Sequence, residues 1–186
     1  MSDSEIHVRG SLLRSRMLWV TEQGRGALNQ VLSALPDRIR ALVDLGVDAK
    51  GWYSFQDWVE LCLTIDRELG TGDLQLCYEL GRYSAEVNLK GLYRLVFRIM
   101  KIGFLVRRSA AAWDVSYDAG KMVVVASTRR SVTLRIVDFP EPHRVHCLAV
   151  KGFVARAAEM TGEQVSEQYE RCRADGDDVC EMAFRW

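Results

Sequence analysis

Three cysteines in the C-terminal part of the chain, Cys147, Cys172 and Cys180, are the residues whose type and spacing point most directly to chemistry. Thiolates are preferred ligands of a tetrahedral zinc ion. Cys172 and Cys180 flank a short hairpin, and Cys147 lies on a helix expected to pack beside it, so three corners of a tetrahedron can be filled and one ligand is wanting. His143 and His146 are the nearest candidates for the fourth, although His146 adjoins Cys147 on a helix and points roughly 100° away from it. The alternative is that all three are small buried core thiols. With Cys62 and Cys77 the chain has five cysteines, an odd number that favours reduced thiols or a metal site over a disulfide framework.

A second constellation is aromatic: Tyr78, Tyr83, Tyr93, Phe97, Phe104, Trp113 and Tyr117. Between helices and a sheet, such side chains give a cavity apolar walls with phenolic hydroxyls to orient a ligand, or else simply fill the core. Tyr78, Tyr93, Phe97, Trp113 and Tyr117 are the candidate ligand-binding residues. Arg94 and Arg98, one helical turn apart, can pair with a ligand carboxylate or lie on an exposed helix face. Asp175, Asp177 and Asp178 around Gly176 make a turn rather than a calcium loop, because no bidentate glutamate follows at the required distance. There is no Gly-x-Ser-x-Gly elbow, no phosphate-cradling loop and no carboxylate pair set beside a histidine. No catalytic residue is assigned, and an enzyme is not expected.

The elements that must position these residues read as helices first and strands second. Apolar residues recur at three- and four-residue spacing from Ser11 to Gly46, broken at Gly24 and Gly26 and reopened by Pro36-Asp37, which predicts two short helices and then a third. A helix from Ser54, its expected N-cap, runs to Glu68. Another, capped by Asp73, runs to about Asn88, and one more starts near Gly91 with Tyr93, Val96, Phe97 and Met100 on one side. From Trp113 the period changes to two. Met122–Ala126 and Val132–Val137 read as a hairpin, His143–Met160 as a helix, and 163–173 with 179–186 as two strands joined by an Asp-Gly turn. The expected architecture is α+β: one domain over 1–186, in which a helical part, 1–110, packs on a four-stranded antiparallel sheet of chain order ββαββ, 111–186.

The run Gly152-Phe, Gly162-Glu and Cys172-Arg-Ala-Asp-Gly-Asp-Asp-Val-Cys180-Glu-Met-Ala-Phe resembles the closing signature of the 4-vinyl reductase domain superfamily over about the last 75 residues. Over its whole length, with Trp-Tyr, Gly-Asp and Trp-x-x-x-Tyr-Asp, the chain is similar to a family of uncharacterised bacterial proteins of about this size. The resemblance implies a fold shared with the heme-NO-binding domain and the Bet-type subunits of the TRAPP tethering complex, often with an apolar cavity; family members include sensors of aromatic compounds and an assembly factor of chlorophyll synthesis. It also implies a zinc site with a glutamate three residues before Cys172. Here that residue is Tyr169, and Glu170 points to the other face of the strand. Heme needs an axial histidine on a helix before the sheet, and His7, His143 and His146 are not so placed.

Twenty-five basic and twenty-five acidic residues cancel, and no basic run exceeds a pair, so a nucleic-acid partner is not expected. The polar, acidic N-terminus is unlike a signal peptide, and the apolar stretch 91–106 is interrupted by Arg94, Arg98 and Lys101, so a cytoplasmic protein without a membrane span is expected. The sequence therefore points to a non-catalytic sensory module for a hydrophobic small molecule, with zinc as the candidate ion, forming a homodimer and signalling through a partner protein. The alternative is a dimeric structural or signalling adaptor of TRAPP-like fold without a ligand.

Overall fold

The structure is a computed structural model describing residues 5–89 and 113–186, with the side chain of Tyr169 excepted. The helix expected from Gly91, with Tyr93 and Phe97, lies outside the described residues.

Strand β1 (His7–Arg9) leads directly into α1 (Gly10–Glu22), followed by α2 (Arg25–Ala34) and α3 (Asp37–Leu45). Strand β2 (Trp52–Ser54) returns antiparallel to β1, pairing Val8 with Tyr53, before α4 (Phe55–Leu69) and α5 (Gln75–Asn88). These two strands were not expected: at three residues each they carry no readable alternation, and their pairing across the whole of α1, α2 and α3 is a tertiary effect. Ser54 occupies the N-cap of α4 without a side-chain cap bond. At α5 the aspartate expected to cap the helix acts from one residue further out: Leu74 occupies the N-cap position with a left-handed backbone, and the Asp73 carboxylate accepts the Gln75 amide at 3.0 Å. Buried Asp66 of α4 adds to this by accepting the amides of Leu74 at 3.0 Å and Leu76 at 3.3 Å, a contact from the preceding helix that no local pattern reveals.

After a helical turn at 113–116, strands β3 (Lys121–Ser127) and β4 (Ser131–Val137), helix α6 (Arg144–Glu159), and strands β5 (Ser166–Arg171) and β6 (Cys180–Arg185) follow. The strands form an antiparallel sheet of spatial order β3-β4-β6-β5. Helices packed with a sheet are thus as expected. The architecture departs from the expectation in the extra β1–β2 ladder and in the short 3₁₀ turn Arg173–Asp175 within the last connection. Val132, Leu134 and Ile136 on β4 face the core beside their register partners Phe184, Met182 and Cys180 on β6, as period-two alternation demands. Among the described residues no helix is long and apolar enough to cross a membrane.

Helix α6 is the central element, apolar on nearly every side, with the sheet on one flank and α5 on the other. Two glycines set its approach to α5. A Cβ on Gly81 of α5 would stand 2.1 Å from the carbonyl oxygen of Ala149, and one on Gly152 of α6 would stand 2.1 Å from that of Tyr78. Each helix thus lays bare backbone on the other's backbone. Ion pairs rim the crossing: Arg82 binds Glu159 through two nitrogens at 2.8 and 2.9 Å, and Arg156 reaches Glu86 at 2.7 Å.

Gly81→Ala and Gly152→Ala should each lower stability by about 3 kcal/mol in urea denaturation, because the helices must separate to admit the methyl group. Gly26→Ala, in open space on α2, should instead raise it by about 0.5–1 kcal/mol. Equal effects at the three positions would contradict the close crossing.

Candidate functional site

Cys147 of α6, Cys172 at the end of β5 and Cys180 at the start of β6 come together, with their sulfurs all within 4.8 Å of one another and every one of the three buried. The sequence places them there in two ways. Arg144, Cys147 and Lys151 lie on one face of α6 at spacings of three and four, so the charges flanking Cys147 point where it points. Lys151 pairs with Glu170 at 2.7 Å and Glu167 at 3.0 Å, and Arg144 pairs with Glu170 and, at 3.2 Å, Asp175, clamping that face to β5 and its loop. The loop then wraps Cys172. Its carbonyl accepts the amide of Asp175 at 2.9 Å, and its own amide donates to the Asp177 carboxylate at 2.7 Å.

The thiols perturb one another. The Cys147 and Cys172 sulfurs lie 3.1 Å apart in a hydrogen bond, and the Arg173 amide donates to Cys180 at 3.4 Å. Hydrogen bonding with Cys147 holds Cys172 and Cys180 below the ordinary thiol range, Cys180 at about 6, while the same bonds push Cys147 up. Thiols whose deprotonation is eased in this way suit the binding of a soft cation. A tetrahedral zinc site has sulfur–sulfur edges of about 3.8 Å, within reach of the spread seen here.

Among the described residues no fourth ligand joins the three. Glu170 is held by Arg144 and Lys151. His143 caps α6, its Nδ1 accepting the Val145 amide at 3.2 Å. His146, the next residue to Cys147, faces away as helical geometry requires, so neither histidine completes the site.

His146 stands instead at the centre of an aromatic nest. Its ring stacks on Phe139 at 4.6 Å and meets Tyr117 at 4.9 Å, Phe55 at 5.4 Å, Trp113 at 5.5 Å and Trp58 at 6.1 Å. Trp113 and Tyr117 stack at 4.4 Å, and the Trp113 indole donates to the carbonyl of Ala119 at 2.9 Å. Of the five residues expected to line a ligand site, Trp113 and Tyr117 are brought together here. Tyr78 is not: it lies half-buried on α5 beneath Lys151 and Arg82, without ring contact to the nest. Tyr93 and Phe97 fall outside the described residues. Phe55, Trp58, Phe139 and the central role of His146 escaped the sequence reading. The one available signal was the Phe-x-x-Trp spacing that puts Phe55 and Trp58 on one face of α4.

Neither family models nor curated protein sequences match the chain. Solved structures do. An H-NOX protein from S. oneidensis in the Fe(II)NO ligation state superposes with a TM-score of 0.73 at 14% identity, covering 95% of this chain and 98% of that one. The Fe(II) unliganded H-NOX protein from K. algicida gives 0.68 at 14%, covering 95% of each. An oxygen-binding H-NOX domain related to soluble guanylate cyclases gives 0.63 at 8%, covering 95% and 94%. The fold is therefore H-NOX-like. The heme-NO-binding part of the expected kinship holds at the level of fold, while no family model supports the 4-vinyl reductase assignment.

The histidines of this chain do not fit a heme held by an axial imidazole. There are three in the whole sequence. His7 is tied to Asp118 at 2.8 Å, His143 caps α6, and the His146 ring is stacked on Phe139 within a set of five aromatic rings.

Burial, with a smaller contribution from His143, pushes His146 down from 6.5 to about 3. The unfolded chain takes up a proton near 6.5 that the folded chain refuses until about 3, so stability is full above the unfolded value and declines as pH falls through this window, at about 1.4 kcal/mol per pH unit. In chelator-treated protein between about pH 6 and about pH 4, His146→Leu should remove that part of the slope. Parallel curves for the two proteins would mean that the imidazole is not dry.

Proposed function

We propose that this protein is a non-catalytic sensory module: it encloses a small apolar or aromatic molecule at the nest around His146, holds a zinc ion at Cys147, Cys172 and Cys180, and acts through a partner protein. The observation that carries the reading is that His146 and Cys147 are adjacent on α6, one committed to the aromatic nest and the other to the thiol cluster. A change of packing in the nest moves the helix that anchors the thiols. The H-NOX-like fold supports a sensory role by analogy, and the resemblance of the closing sequence to 4-vinyl reductase domains suits a ligand that is not a heme-bound gas. Zinc bound there would supply a crosslink between α6 and the β5–β6 connection, with all three cysteines binding as thiolates.

The adaptor reading has one observation in its favour. Trp52 and Val115 are 41% and 63% exposed and adjoin through Arg9, which stacks on Trp52 at 3.7 Å and donates to the Val115 carbonyl at 3.0 Å. A homodimer or a partner protein would cover such apolar surface.

Native mass spectrometry of the purified chain, repeated under denaturing conditions, tests both readings. The expected result is a mass increment of one zinc per chain, lost in Cys172→Ser and Cys180→Ser, with both variants melting at least about 5 °C lower. An accompanying organic mass identifies the ligand class. A metal-free, ligand-free dimer whose stability is unchanged by either serine substitution would replace the sensor with the adaptor.

A further inference from the structure

Arg16 carries a positive charge into the middle of the helical layer. It is 1% exposed, and it donates to the Leu80 carbonyl at 3.0 Å, to the Ser15 hydroxyl at 3.2 Å and to the Ser84 hydroxyl, all neutral acceptors. Its Nε has no partner among the described residues. The guanidinium stands 5.3 Å from the centre of the fully buried Trp58 ring, whose Nε1 is likewise unpartnered, and the Trp58 ring reaches His146, whose Nε2 is the next orphan. Three buried polar atoms without partners thus follow one another from the helical layer into the aromatic nest.

Among the described residues nothing neutralises this charge, and no ion pair involves Arg16. Buried Asp66 spends its carboxylate on the Leu74 and Leu76 amides. The Cys62 thiol lies against the guanidinium, but burial raises it and keeps it neutral. Of the residues outside the described set, 90–112 contain no Asp or Glu and 1–4 contain one acid, Asp3. A buried cation without a counter-charge is costly, and buried charges are as a rule paired.

We propose that this interior receives a small organic carboxylate, its anion paired with the Nε–H of Arg16 and the Nε1–H of Trp58 and its apolar body lying among the rings around His146. The inference rests on the ligand-binding reading above and gives that ligand its charge. A carboxylate offers two coplanar oxygens, the acceptor geometry that a guanidinium edge and a neighbouring N–H satisfy, and charge-assisted bonds in a dry interior are the strong kind. An inorganic anion shares the acceptor chemistry but leaves the nest unused.

The test titrates the full chain with sodium benzoate, neutral benzyl alcohol and sodium chloride at constant ionic strength, read by tryptophan fluorescence and by melting temperature. Benzoate should bind saturably and about tenfold or more tighter than benzyl alcohol. Arg16→Met, which replaces the cation with an apolar side chain of similar length, should bring benzoate down to the level of benzyl alcohol. Should that variant not fold, Trp58→Phe keeps the ring, deletes one donor and should weaken benzoate about tenfold while leaving benzyl alcohol unchanged. Equal binding of the two aromatics overturns the carboxylate and leaves the aromatic site standing. Saturable stabilisation by chloride alone assigns Arg16 to an inorganic anion and overturns the organic one. Binding of no probe overturns the ligand-binding reading together with this inference.

Discussion

The rest of the structure depends on the backbone-to-backbone crossing of α5 and α6. Gly81 and Gly152 each remove the side chain that would hold the helices apart, and each sits against a carbonyl of the other helix, so the pair crosses at a distance no other residue type allows. That proximity lets α6 be buried on two flanks at once, against α5 and against the sheet. Arg82, Glu159, Arg156 and Glu86 seal the rim of the contact without entering it. Their ion pairs are partly exposed and add less than the burial they border.

A helix buried over most of its circumference has little solvent face, and its successive residues serve different neighbours. His146 fills the aromatic nest, Cys147 joins the thiol cluster, Leu148 and Ala149 belong to the core against the helical layer, and Lys151 holds β5. The nest and the cluster are therefore two aspects of one helix, and rotation or translation of α6 affects both. Burial acts with opposite consequences at the two places. In the nest it strips His146 of its basicity; in the cluster, mutual hydrogen bonds outweigh burial for Cys172 and Cys180 and favour the anionic form.

Much of this was legible in the residues, and what was not has a physical reason. The apolar periodicity of 11–46 and the β-branched runs of β3 and β4 located those elements because their signal is local. The meeting of Cys147, Cys172 and Cys180 followed from a helix and a hairpin expected to be neighbours. The 100° separation of His146 from Cys147 followed from helix geometry. The nest did not follow: its rings come from α4, the turn at 113–117, the loop after β4 and α6, and no spacing links Phe55 to Phe139. Tyr78 was grouped with Trp113 and Tyr117 by type alone, whereas it serves as a platform for Lys151 and Arg82. Asp73 follows the local rule and accepts the Gln75 amide, whereas the added capping by Asp66, eight residues before Leu74, was hidden because it comes from the preceding helix.

The sheet carries one more consequence in its register. Both outer strands are interrupted: β3 between Val124 and Ala126 against β4, and β5 between Glu167 and Tyr169 against β6. A bulge on each border twists the exposed amides and carbonyls out of line, so a further strand finds no continuous ladder on either side. Growth by edge addition, the route to open-ended aggregates, is disfavoured at both borders of this sheet.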